Sequence, residues 1–189
     1  MKSESYSVLL ISRDSKLTAQ IKAFLTSPLF EVSETADFSE ARRLVDEREF
    51  CIIIADSSDG RDAEAAIEMS DVYAPILLLV PSEYFDDISY RVEAYGIMSA
   101  AKPFEPFYFY NLIKIAIAIH YKIQKISSQT IKLKAKMEEI RIVNRAKMLL
   151  IEKRGMSEEA AHHYLEKEAM NSGTTKRKVA AALARELIL

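Results

Sequence analysis

From Leu112 to Asn144 the apolar residues recur in alternating steps of four and three, through Ala116, Ile119, Ile123, Ile126, Thr130, Leu133, Met137 and Ile140, and no Gly or Pro interrupts them. A seam this long forces a long helix and asks for another helix to cover it. Ala116, Ile123, Thr130, Met137 and Asn144 take the a positions, and Leu112, Ile119, Ile126, Leu133 and Ile140 take d. An Asn at a favours two parallel strands and fixes their register, so a parallel homodimer is expected over residues 107–144. At about 1.5 Å per residue the seam would run roughly 50 Å. The competing arrangement packs the helix within its own chain; Ile113, Ile115 and Ile117 allow this near the start but not beyond about residue 125.

Charge divides the chain of 189 residues on either side of this helix. Residues 1–104 hold 10 Lys and Arg against 19 Asp and Glu, whereas residues 105–189 hold 16 against 9, so a net −2 conceals an acidic first part and a basic second part. Only the second has the balance expected for nucleic acid. A single cysteine, Cys51, excludes an internal disulfide and reads as a buried strand residue. Lys114, His120, Lys122 and Lys125 break the apolar stretch 112–126, no signal peptide precedes the first strand, and a cytoplasmic, non-membrane protein is expected.

The last fifty residues read as three helices. Gly155 stops the long helix, Ser157 caps the next, and Glu158 and Glu159 place negative charge where its dipole favours it. A break at Asn171 to Gly173 leads to a third helix capped by Thr174 or Thr175, which opens on Lys176, Arg177 and Lys178. Three cations at the positive end of a helix dipole are locally unfavourable, and an external polyanion accounts for them. The spacing of Arg141, Ala146-Lys147, Leu149-Leu150, Gly155, Ser157-Glu158-Glu159, Ala161, Leu165, Ala169-Met170 and Val179-Ala180 resembles the ANTAR domain of transcription antiterminators, over about residues 138–189. Met148 departs from the glycine usual in that family. The resemblance implies binding of paired stem-loops in nascent mRNA, with Arg141, Lys147, Lys176, Arg177 and Lys178 as candidate RNA contacts.

The first hundred residues alternate strand and helix signals. Val8 to Ile11, Cys51 to Ala55 and Ile76 to Val80 are apolar runs suited to parallel strands buried on both faces, with Val32 and Ile97 to Ala101 as weaker ones. Amphipathic stretches lie between them, so the fold class expected is α/β, a flavodoxin-like doubly wound sheet over residues 1–120. The run IIIAD ending at Asp56 and AAKPF containing Lys102 resemble the receiver domain of response regulators. Position by position, the resemblance makes Asp56 the phosphoacceptor-like residue and Lys102 the lysine that contacts the phosphoryl group.

The rest of that site departs from the pattern. Receivers hold Mg²⁺ with an acidic pair after the first strand, and here Ser12 and Arg13 stand there, with Asp14 one step late. Val80 replaces a hydroxyl residue and Ser99 an aromatic one. Mg²⁺ needs hard oxygen ligands, so a degenerate receiver without cofactor is expected, with Arg13 placed to take the metal's space and pair with Asp56. Weak phosphorylation using Asp14 is the alternative.

Other residues point to no chemistry. Adjacent His162 and His163 lack a third ligand for a metal, His120 reads as a coil-flanking surface residue, Tyr108 to Tyr110 as core, and Asp59, Asp62 and Glu64 as a solvated helix start. No nucleophile and base pair or phosphate loop is present, so the expected protein is a regulator and not an enzyme. Two other functions compete with RNA antitermination: a DNA-binding response regulator and a coiled-coil adaptor sequestered by a partner protein. Upstream, either a histidine kinase or a ligand-sensing sequestering protein is compatible with the chain.

Overall fold

The computed structural model describes residues 5–26 and 28–187; the outermost positions of the expected domains, 1–4 and 188–189, lie outside the described residues. Compact packing divides the chain between Lys125 and Ile126 into two units.

In the first unit, β1 (Tyr6–Ile11), β2 (Phe30–Thr35), β3 (Ile52–Asp56), β4 (Ile76–Pro81) and β5 (Met98–Lys102) form one parallel sheet in the order β2-β1-β3-β4-β5. The central strand β3 is buried along its whole length, as an IIIAD run with helices on both faces must be. Helices α1 (Ser15–Phe24), α2 (Phe38–Glu47), α3 (Ala63–Glu68) and α4 (Phe85–Glu93) connect the strands. One core layer sets Leu9, Ile53, Leu78 and Val80 against α2, α3 and α4. The other sets Val8, Ile54, Leu77 and Leu79 against α1 and the start of α5 (Pro106–Arg154), which contributes Phe109, Ile113, Ala116 and Ile117. The winding changes side between β1 and β3, and the crevice beyond their carboxyl ends is where open α/β sheets place their chemistry.

The start of α5 corrects the expected seam. Ala116 is fully buried under the sheet and Leu112 packs against the same cluster, so neither is free for another helix. His120, expected at the surface, is 5% exposed. Cys51 is half-buried immediately before β3. Of the aromatic trio, Phe109 is buried and stacks on Phe104 with ring centroids 4.4 Å apart, Tyr110 packs partly against the core, and Tyr108 is exposed.

The second unit contains the rest of α5, with α6 (Glu158–Asn171) and α7 (Lys176–Glu186). Gly155, at φ +65°, ends α5 through an αL cap: its N–H donates to the Ile151 carbonyl, and the Met156 N–H reaches the Leu150 carbonyl. The Ser157 hydroxyl accepts from the Ala160 N–H and Thr175 from the Lys178 N–H, which resolves the Thr174 or Thr175 alternative. The core takes one Ala and one Leu from each helix: Ala146 and Leu150, Ala161 and Leu165, Ala180 and Leu183. Pairs three or four apart share a helix face, and alanine lets the helix axes approach closely.

Candidate functional sites

At the crevice of the first unit, Asp56 ends β3 with its side chain only 2% exposed. The Lys102 ammonium, at the end of β5, donates to Asp56 Oδ1 and, at 2.9 Å, to the Ser57 carbonyl. The Ser12 hydroxyl donates to Asp56 Oδ2 at 3.1 Å. Both carboxylate oxygens are therefore engaged, one by a cation and one by a neutral donor. Arg13 does not make the pair expected of it: its side chain is exposed, it lines the crevice with Ser12, Asp56 and Asp62, and among the described residues it forms no ion pair. The reason is geometric. Lys102 ends β5, two strands from β3, and its long side chain spans that gap to the carboxylate, whereas Arg13, just after the adjacent β1, is exposed to solvent.

Asp14 does other work. Its Oδ1 accepts from the N–H groups of Lys16 and Leu17 as the N-cap of α1, and these bonds hold its carboxyl below the usual range. Val80 is wholly buried in the layer facing α2 to α4. Ser99 donates to Ser89 Oγ at 2.7 Å and so ties β5 to α4. The other side-chain oxygens lining the crevice with Asp56 are the hydroxyls of Ser12 and Ser58 and the carboxylate of Asp62, and Arg13 lines it too. Mg²⁺ is held in near-octahedral geometry through one or two carboxylates, and with both Asp56 oxygens already taken by Lys102 and Ser12 only Asp62 is left to it in the crevice, so the donor set does not fit the metal. Asp59 and Glu64 are paired instead with Arg61 and Arg91. Among the described residues no group of three or more His, Cys, Asp or Glu is arranged to hold a metal ion.

In the second unit the candidate RNA residues separate into two kinds. Arg141 is 82% exposed with a loose 3.8 Å contact to Glu138, and Arg177 and Lys178 are exposed in the first turn of α7 with no ion pair among the described residues. Lys147 and Lys176 are tied within the unit. Lys147 Nζ lies 2.9 Å from Glu158, joining α5 to α6, and Lys176 Nζ lies 2.9 Å from Glu166, joining α6 to α7. The lysine in each pair draws the glutamate's carboxyl below its ordinary range. His162 and His163 both reach the same Glu166 carboxylate, at 3.2 and 3.6 Å. Sequence reasoning missed Glu158 and Glu166, because each pairing crosses a helix break and leaves no local periodic signal.

The seam of α5 is open from residue 126 onward. Ile126, Leu133, Met137 and Ile140 are each more than half exposed, and Asn144, Met148 and Ile151 continue the exposed side of the helix. No helix among the described residues is long and apolar enough to cross a membrane.

Comparison with known proteins follows the same division. The family model described as the ANTAR domain matches residues 132–183. The transcriptional regulatory protein PdtaR of Mycobacterium tuberculosis is 26% identical over 185 residues, covering 95% of this chain and 90% of that protein. Among solved structures, the signal receiver domain of an HD domain-containing protein from Pseudomonas fluorescens Pf-5 has a TM-score of 0.56 at 13% identity, covering 63% of this chain and 99% of that one. Full-length FixJ from B. japonicum has a TM-score of 0.54 at 16% identity, covering 96% and 97%. The chain thus carries an ANTAR domain at residues 132–183 behind a receiver-type α/β fold, an arrangement similar to that of ANTAR response regulators.

Proposed function

We propose that this protein is a transcription antitermination regulator that binds paired stem-loops in nascent mRNA as a dimer, under the control of a degenerate receiver. The observation that carries the reading is the match of the ANTAR family model to the three-helix unit. The exposed cations of that unit support it, since Arg141, Arg177 and Lys178 face solvent and are accessible to phosphate. RNA hairpins are recognised through unstacked loop bases and backbone geometry, and cations supply much of the affinity and its salt dependence. Lys147 and Lys176 act one step back, holding the three helices in place. A DNA-reading role suits α7 poorly, because between Lys178 and Arg185 it holds only Val179, four alanines and Leu183, none of which can hydrogen-bond a base edge.

Control by phosphate is the weaker option, given a carboxylate already engaged by Lys102 and Ser12 and a donor set that does not fit the metal. A ligand-sensing protein that sequesters the chain is the preferred upstream partner, with a histidine kinase as the other. The deciding measurement is binding of the full chain to a paired stem-loop RNA against duplex DNA of equal length. Preference for RNA is expected, with Arg177→Ala lowering the salt slope by about one unit if it contacts one phosphate. Preference for DNA overturns the reading. Incubation with acetyl phosphate and Mg²⁺ should leave the intact mass unchanged; stoichiometric phosphorylation would refute the degenerate site.

A further inference from the structure

The part of α5 that opens the second unit carries charge of one sign. Between Ile126 and Met137 stand Lys132, Lys134 and Lys136 and no carboxylate; the first acid is Glu138. All three lysines are exposed, and among the described residues none has an ion-pair partner. They accompany the open apolar row of Ile126, Leu133, Met137 and Ile140.

The heptad frame converts this into a prediction about two copies. With Met137 and Asn144 at a, and Leu133 and Ile140 at d, Lys134 and Arg141 fall at e and Lys136 at g. In a parallel pair each g residue faces the following e residue of the other helix. Lys136 thus meets Arg141 of the second copy, twice, and Gln129 meets Lys134. Opposite charges at these positions normally favour pairing; here the flanks oppose it, and only the apolar row supports it. The collar also lies close to the RNA unit: Lys136 precedes Lys147 by eleven residues, about 16 Å along one helix at 1.5 Å per residue.

We propose that the flanks of this coil, built from Lys132, Lys134, Lys136 and Arg141 of two chains, are a second RNA-contacting surface. Its occupant is the sugar-phosphate backbone joining the two stem-loops, and RNA thereby tightens the dimer. The proposal rests on the RNA-binding dimer reading above. Phosphates neutralise the repulsion across g and e and release their own counterions, so RNA binding and dimerisation are linked and each strengthens the other.

The test uses the full chain and Lys136→Glu, which turns a repulsive facing into an attractive one. The substitution should move two quantities in opposite directions. Without RNA, the dimer dissociation constant at low salt should fall severalfold. Affinity for an RNA of two stem-loops joined by a single-stranded spacer should drop about tenfold near physiological salt, with a salt slope shallower by about 1.4 for two lost phosphate contacts. The neutralising variant Lys132→Gln, Lys134→Gln, Lys136→Gln should weaken the spacer-containing RNA in the same way. An isolated stem-loop should bind the parent and this neutralising variant equally, because that variant leaves Arg141 without a new carboxylate partner. A tighter dimer with unchanged affinity for that RNA overturns the proposal, as does a parent dimer constant indifferent to RNA. If anionic lipid vesicles bind the parent and displace RNA from these flanks, a membrane surface is the occupant and the RNA assignment is lost. If the parent ignores even the isolated stem-loop, the antitermination reading itself fails, a result the single-loop control separates from the others.

Discussion

The Lys147 ammonium lies 2.9 Å from Glu158 Oε1, with the lysine side chain 16% exposed and the glutamate 77% exposed. A mostly covered cation from α5 is thus held by a carboxylate in the first turn of α6, where the helix dipole also favours negative charge. The pair spans the turn at Gly155 and sets the angle at which α6 leaves α5.

Removing that cation should be visible at its partner. In the parent, Glu158 titrates below the ordinary carboxylate value of 4.5, chiefly through its hydrogen bond to Lys147. A depressed carboxyl contributes stability above its unfolded value and loses it as pH falls through the folded one. Lys147→Met keeps the aliphatic stem and drops the charge. Carbon-detected NMR titration should show Glu158 returning toward the ordinary range in this variant, and the parent's extra stability above about pH 4.5 should vanish. An unmoved Glu158 would show that the contact does not persist in solution.

The buried pair in the first unit gives a prediction of a different kind. With Asp56 at 2% and Lys102 at 20% side-chain exposure, Lys102→Ala leaves a carboxylate facing only the Ser12 hydroxyl. Breaking a buried pair from one side costs about 3 kcal/mol, mostly the penalty of the stranded charge. Asp56→Asn in the same chain should restore most of that loss. Urea unfolding of both single variants and the double variant measures the coupling, and additive losses would contradict it.

His120 makes the first unit sensitive to mild acid. Burial pushes its imidazole below the ordinary 6.5, opposed by the charge of Glu49 and a hydrogen bond to the Tyr73 backbone, and Nδ1 has no hydrogen-bond partner. The folded state therefore favours neutral histidine. Its contribution is full above pH 6.5 and declines as pH falls toward the folded value, by at most about 1.4 kcal/mol per pH unit. His120→Gln should flatten stability between pH 7.5 and 5.5, compared by urea midpoints; an unchanged slope would place the titration elsewhere.

Local signals in the sequence were reliable and tertiary ones were not. Gly155, Ser157 and Thr175 mark helix ends through a positive φ and two side-chain caps, all decided within a few residues. The apolar runs of β1, β3 and β4 likewise announced a doubly wound sheet. Between Leu112 and Ile119, however, apolar residues surround the helix, so a sheet-facing side and a seam share positions, and packing alone assigned Ala116 to the sheet. His120 was likewise not placed by the sequence, since the groups it meets, Glu49 and the Tyr73 backbone, are far away along the chain. At the crevice, the residue types around Asp56 were legible, but which cation would reach it was not: that depended on the direction in which β1 and β5 deliver their side chains.

The second unit's core of three alanines and three leucines buries little apolar area for the chain it must order. A module with so thin a reserve gains a large share of its stability from whatever binds its closed form, by mass action. If it binds RNA as proposed, its melting temperature is then a calorimetric gauge of occupancy, rising with each increment of bound polyanion and falling as salt strips it away.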